Sequence, residues 1–243
     1  MEITLNYSPN FDIKKRDKKN IKFIIFHYTG MKKEIDAIKK LTNKNAKVSS
    51  HYFIKRNGQI LSLVPDLYIA WHAGISSWKN YNSLNNNSIG IEISNPGHNY
   101  KYKKFSKNQI NSLIILSKYL IKKYKIRSKY ILGHSDISPD RKKDPGEKFP
   151  WELLAKYKIG IWHNLRKKLK DKSRNYQLNK KEETNFIKNL TTIGYSKNQN
   201  FSNLKYRKFI IKAFQRRFRQ ELITGLADKE CLLISKNLAK KFK

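Results

Sequence analysis

Residues 21–27, IKFIIFH, are apolar at almost every position and end on a histidine. A half-buried strand alternates apolar with polar residues. A continuous run like this one reads as a strand buried on both faces. The rest of the chain must then supply more strands beside it and cover above and below. Residues 51–56 and 59–64 flank Asn57-Gly58, the strongest two-residue turn signal, and form a hairpin. Ile89–Ile93, IGIEI, and Tyr130–Leu132 before Gly133 are further short strands.

Helices lie between them. Lys32–Leu41 places Ile35, Ile38 and Leu41 roughly on one face. Ser106 with Gln109 is a capping box. It opens a helix to about Tyr124 with Ile110, Leu113, Ile114, Leu120 and Ile121 in one stripe. Pro150-Trp151-Glu152 opens another. Strands and helices alternate along the chain, so the fold class is α/β: a mixed central β-sheet flanked by helices. Residues 1–20 are a polar lead-in, with Tyr7–Asn10 expected to lie extended over the core. Residues 65–88 hold Trp71, His72, Gly74, Trp78 and an asparagine-rich run, and read as a long binding loop.

Beyond this, residues 168–183 lack apolar periodicity and read as a linker. Three helical patterns follow, over about 183–193, 204–219 and 229–241. In the second, Phe209, Ile210, Ala213, Phe214 and Phe218 share a face. The expected division is a domain at 1–167, a linker at 168–183 and a small three-helix domain at 184–243.

The chemistry concentrates in Tyr130–Trp151, YILGHSDISPDRKKDPGEKFPW. His134 follows a strand, where a loop carries a reactive group on a rigid support. Pro145 keeps Asp144 out of helix. A histidine and an aspartate on one proline-stiffened loop suit a cation such as zinc, and His27 at the end of the first strand is the candidate third ligand. A lone histidine is ordinarily a core or surface side chain, so these three residues need support from the rest of the sequence.

That support is a set of motifs. FHYT, SSHYFI, AWHAG, NNNSIGIEI, GHSDISPDRKKDPG and FPW occur in an order and approximate spacing that resembles the type 2 zinc N-acetylmuramoyl-L-alanine amidases, relatives in fold of the peptidoglycan-recognition proteins. The resemblance spans roughly residues 18–160. It implies zinc on His27, His134 and Asp144, with one position left for water. It implies catalytic work for Glu92, which alternates out of IGIEI, as proton shuttle, and for Lys142 facing the oxyanion. It implies that His51, Trp71 and His72 line the cleft or support the ligands. The substrate would be peptidoglycan or muropeptide, cut between N-acetylmuramic acid and L-alanine in cell-wall turnover or recycling. Ile211–Arg219, Leu190 and Ile193–Tyr195 resemble a small three-helix peptidoglycan-binding domain, which would hold the wall substrate. His98 and His163 fall outside the motifs and read as surface.

Other readings meet obstacles. Lys+Arg is 53 against 18 for Asp+Glu, a net +35, which invites nucleic acid. The lysines are spread over nearly every segment alongside many Asn and Ile, so a solvated basic surface is expected and no specific nucleic-acid partner. A purely recognising, non-catalytic peptidoglycan module would lack zinc ligands that are all present here. There is no G-x-S-x-G elbow. The single cysteine, Cys231, forbids both an intramolecular disulfide and a cysteine-rich zinc site. The N-terminal residues carry no secretory signal and no stretch approaches the ~18 apolar residues of a membrane span. A cytoplasmic monomer is expected, with the periplasm or envelope reached only by another route.

Overall fold

The computed structural model describes residues 2–195 and 202–242. Its strands are β1 (Ile3–Leu5), β2 (Phe11–Asp12), β3 (Phe23–Tyr28), β4 (Tyr52–Ile54), β5 (Ile60–Ser62), β6 (Ile69–Ala70), β7 (Ser77–Trp78), β8 (Tyr81–Asn82), β9 (Ser88–Ile93) and β10 (Ile131–Gly133). Its helices are α1 (Glu34–Thr42), α2 (Lys107–Tyr124), α3 (His134–Ile137), α4 (Trp151–Lys156), α5 (Lys167–Ser173), α6 (Lys180–Ile193), α7 (Leu204–Phe218) and α8 (Lys229–Ala239).

Six strands make the central sheet in the order β1-β5-β4-β9-β3-β10. All neighbours are parallel except the β4–β5 hairpin, so the sheet is mixed as the sequence implies. The apolar run sits one strand in from the β10 edge, and its two sets of side chains go to different cores. Ile24 and Phe26 join Ile91, Ile93, Leu113, Leu116 and Leu120, the stripe of α2. Phe23 and Ile25 join Phe186, Leu190, Phe214, Phe218 and Ile234 of the C-terminal helices. Each such side chain, fully buried, contributes about 1.5–3 kcal/mol relative to exposure. That is why the run cannot alternate. The helix α2 starts as expected, with Ser106 Oγ accepting from the Gln109 N–H at 3.1 Å and Gln109 Oε1 accepting from the Ser106 N–H at 3.0 Å.

Two segments differ from the sequence reading. Residues 168–183 are not a bare tether, since α5 occupies the start of the segment and α6 its end. Arg174 just after α5 donates to Glu230 at 2.7 Å and Glu221 at 2.7 Å, so this segment is held by ion pairs and shows no apolar period. The lead-in is also more than a cover: β1 extends the sheet as its edge strand, parallel to β5. The long loop 65–88 is stiffened by the β7–β8 pair within it and by the pairing of its β6 with β2 of the lead-in.

Candidate active site

β9, β3 and β10 are adjacent and parallel, so their carboxyl ends open on one side, where open α/β sheets bind ligands. His27 and Glu92 are register partners across β3 and β9, and their side chains rise from the same face. His134 follows β10 directly and opens α3, rather than lying in a loop. Asp144 is tied to it, since the Ser135 N–H donates to the Asp144 carbonyl at 2.8 Å.

These elements bring His27, His134 and Asp144 together, all buried. The two Nδ1 atoms lie 2.9 Å apart, and Asp144 Oδ2 lies 3.2 and 3.1 Å from them. The far ring nitrogens fix the tautomers. His134 Nε2–H donates to the Ala73 carbonyl at 3.1 Å. Ser88 donates to the Leu84 carbonyl at 2.6 Å, so its Oγ accepts from His72 Nε2–H at 3.2 Å. His72 Nδ1 then accepts from His27 Nε2–H at 3.0 Å. Both Nδ1 lone pairs are thereby left facing a carboxylate and each other, an arrangement that repels unless a cation sits between them. Donors about 2.0–2.1 Å from a zinc ion at tetrahedral angles would be separated by about 3.3 Å, close to what is found. Burial, then His134, pushes the His27 imidazole down to about 4. Burial alone would raise the Asp144 carboxyl, but the two imidazoles outweigh it and hold it well below the usual range.

The remaining expected residues divide. Glu92, Lys142, Trp71 and His72 line a cleft of about 400 Å³ that also contains His134 and Asp144. Glu92 Oε2 is buried with no hydrogen-bond partner among the described residues. Burial, then the Asp144 charge, pushes its carboxyl up to about 8, and Lys142 pulls the other way. A base with a pKa near the working pH is what proton transfer wants. Trp71 Nε1 donates to Asp12 Oδ1 at 2.7 Å, which leaves the indole face to the cleft. His72 supports His27. Its ring occupies the space a Cβ on Gly90 would need, at 2.4 Å, so only glycine fits there.

His51 is not on the cleft. It is wholly buried, its Nδ1 accepts from the Gly90 N–H at 3.0 Å, and its Nε2 lies 2.9 Å from the Arg16 guanidinium and 3.1 Å from the Tyr68 carbonyl. Both nitrogens are used by the fold, so nothing remains for substrate. His98 and His163 are not plain surface either. His98 lines the cleft, and His163 is only 7% exposed beneath a stack with Trp162. Two supporting residues escape the sequence reading. Asn85 Oδ1 accepts from the His72 and Ala73 N–H groups at 3.1 and 2.7 Å, fixing the loop that contacts both His27 and His134. Arg141 donates to the carbonyls of Ala73 and Ile75 from the other side. The asparagine-rich run was the available signal for Asn85.

Two imidazoles and a carboxylate with bare donor atoms, beside an unpartnered carboxyl of raised pKa, are the equipment of a metal-assisted hydrolase. Comparison with known proteins narrows the class. The sequence model of the Amidase_2 family, N-acetylmuramoyl-L-alanine amidase, matches residues 17–147. The N-acetylmuramoyl-L-alanine amidase AmiD of Escherichia coli (strain K12) is 35% identical over 241 residues, covering 91% of this chain and 83% of that protein. The 1,6-anhydro-N-acetylmuramyl-L-alanine amidase AmpD of Haemophilus influenzae is 36% identical over 163 residues, covering 60% of this chain and 86% of its own. The solved complex of E. coli AmiD with anhydro-N-acetylmuramic acid-L-Ala-D-gamma-Glu-L-Lys superposes with a TM-score of 0.81 at 34% identity, over 91% of this chain and 90% of that one. AmpDh3 from Pseudomonas aeruginosa in complex with anhydromuramic pentapeptide gives 0.81 at 28% identity, over 96% and 97%. The chain belongs to the N-acetylmuramoyl-L-alanine amidase family, and it is an enzyme of that class. Among the described residues no helix is long and apolar enough to cross a membrane.

Proposed function

We propose that the chain hydrolyses the amide between the lactyl group of N-acetylmuramic acid and L-alanine, with zinc held by His27, His134 and Asp144. The observation that carries this reading is the convergence of three bare donor atoms, two of them on imidazoles whose far nitrogens are already satisfied. Bound there, zinc supplies Lewis acidity and an acidified water. The protein supplies the rest. Glu92 accepts the proton of the attacking water and passes it to the leaving nitrogen. The Lys142 ammonium faces the carbonyl oxygen as negative charge develops on it. A single donor of that kind is worth about 10²–10³ in rate. Trp71 offers a flat apolar wall to the substrate, while His72 holds the tautomer of His27.

The ligands in the two relatives' complexes are anhydromuramyl peptides. They support soluble 1,6-anhydro fragments as the substrate here, a recycling role, with the helices of 184–243 adding a hold on larger wall polymers. The test digests both intact sacculi and purified anhydro-muropeptides with zinc-loaded protein and weighs the products. Free peptide beginning with L-alanine is expected from the fragments faster than from sacculi. Absence of that product from both substrates would remove the reading.

A further inference from the structure

Tyr28 and His98 both line the catalytic cleft, and the reaction above uses neither. They belong to one hydrogen-bonded line. The Tyr28 hydroxyl lies 2.8 Å from His98 Nδ1, and His98 Nε2 lies 3.0 Å from Glu147 Oε2. The His98 ring stacks on Tyr102 at 4.6 Å and 26°. Tyr102 in turn donates to the Pro145 carbonyl at 2.6 Å and accepts from the Lys148 N–H at 3.1 Å. The site for these rings is kept open by Gly146, where φ is +83° and a Cβ would come within 2.5 Å of the Tyr102 hydroxyl and 3.0 Å of His98 Cε1.

The direction of the line follows from its far end. An ionised carboxylate only accepts, so His98 Nε2 carries the proton it gives to Glu147. In the neutral imidazole that is the ring's one proton, so Nδ1 is bare and takes the hydrogen of the Tyr28 hydroxyl. Tyr28 therefore has lone pairs, and no hydrogen, left to offer the cleft, one residue from the ligand His27. A tyrosine free to rotate would offer either. We infer that the Glu147–His98–Tyr28 line presents the Tyr28 hydroxyl as a fixed acceptor for an N–H or O–H of the muramoyl-peptide beside the scissile bond. Tyr28 is then a substrate-binding residue, and His98 and Glu147 are positioning residues. This inference rests on the amidase reading above.

The experiment compares zinc-loaded parent, Tyr28→Phe, His98→Phe and His98→Asn proteins. His98→Phe keeps a ring to stack on Tyr102 and removes both hydrogen bonds, whereas His98→Asn restores an acceptor near the place of Nδ1. The probes are an N-acetylmuramoyl-dipeptide, the same compound N-methylated at the amide after alanine, and the same compound lacking one sugar hydroxyl. Each is measured as a competitor of a hydrolysed muramoyl-peptide, so none needs to be turned over. The parent protein is expected to bind one of the two altered probes about 3–10-fold more weakly than the intact one, the worth of one hydrogen bond. Which probe loses tells whether the donor is on peptide or sugar. In Tyr28→Phe that ratio should fall to near one, and in His98→Phe, where the hydroxyl remains but is free to rotate, it should fall part of the way, in both with KM raised and kcat little changed. A protein carrying both Tyr28→Phe and His98→Phe should lose no more than Tyr28→Phe alone, and His98→Asn should recover most of what His98→Phe loses. A parent that treats all three probes alike, or a Tyr28→Phe protein that keeps the full ratio, overturns the inference and leaves the line as a loop staple. Failure of the amidase reading would instead appear as no hydrolysis by the parent at all.

Discussion

Arg217 in α7 donates to Asp136 Oδ2 at 2.5 Å, and Asp136 lies two residues after His134 in the same short helix. Asp136 also accepts from the Gly133 N–H at 2.8 Å and the Tyr195 hydroxyl at 2.9 Å. The guanidinium reaches the Ile131 carbonyl at 2.9 Å and lies on the Trp151 ring. A C-terminal helix thus holds both ends of the strand-to-helix turn that aims His134. Replacing Arg217 by Met keeps length but strands a buried carboxylate. The expected loss is about 3–5 kcal/mol, the usual result of breaking one half of a buried pair. Adding Asp136→Asn should recover part of it. Urea midpoints for the single and double variants check this, and a single-variant loss under about 1 kcal/mol would contradict it.

Removing residues 168–243 tests the same dependence on a larger scale. It would expose Phe23, Ile25, Leu132, Ile137 and Trp78, which now share one core with the helices. An exposed patch of that kind marks aggregation. The 1–167 piece is therefore expected to aggregate or to unfold without cooperativity, although its motifs are complete. A sharp thermal transition in a monomeric 1–167 piece would show that the sheet face tolerates water and that the division drawn from the sequence is also a folding boundary.

The chain discloses its catalytic half more readily than its joints. The β3 run, the capped α2 and the motif residues each carry a local signal, because burial and capping write themselves into short patterns. The line from His27 through His72 to Ser88 has none, since it joins segments 45 and 16 residues apart through single atoms. His51 lies in one of the six motifs, as the other candidate site residues do, and is distinguished only by its partners. The segment at α5 misleads for another reason: charge pairs from Glu221 and Glu230 replace apolar contacts, so there was no period to find.

The His72 line makes its own prediction. His72→Phe preserves a ring against Gly90 but removes the acceptor of His27 Nε2–H. Partners of this kind typically matter by about 10–100-fold in metal affinity. Zinc competition against a chelating dye should report a loss in that range, with the folded protein otherwise intact. An unchanged affinity would mean that His27 selects its tautomer without help.

Stability should depend on pH through two histidines that are not ligands. Burial, then Arg16, pushes His51 down to about 3, and burial, then Lys170, pushes His163 down to about 4. Both are neutral in the fold, while in the unfolded chain they charge below about 6.5. Between those limits the unfolded state binds more protons, so stability is full above about pH 6.5 and falls as pH drops toward 4. Urea midpoints should be lower at pH 5 than at pH 7.5. His163→Leu should shrink that difference, because it removes an imidazole that charges only on unfolding. An equal drop in the variant would assign the effect elsewhere.

Glu92 carries the sharpest expectation. Its side chain rises beside His27 from the same face of the sheet, touches no donor with Oε2 among the described residues, and is held near a pKa of 8 by burial and then by Asp144. Glu92→Gln keeps the volume and cannot take a proton. It is not one of the three converging donors, so zinc content should stay at the parent level. Turnover of a muramoyl-peptide should fall by about 10²–10⁴, the range for a general acid–base group. That equals roughly 3–5.5 kcal/mol of barrier. KM should move little, because the lost interaction belongs to the transition state. The variant should be no less stable and should gain on the parent as pH climbs from about 4.5 toward 8, since over that range a raised carboxyl pKa costs the parent fold free energy. Activity within threefold of the parent, at equal zinc content, would return the proton transfer to Lys142.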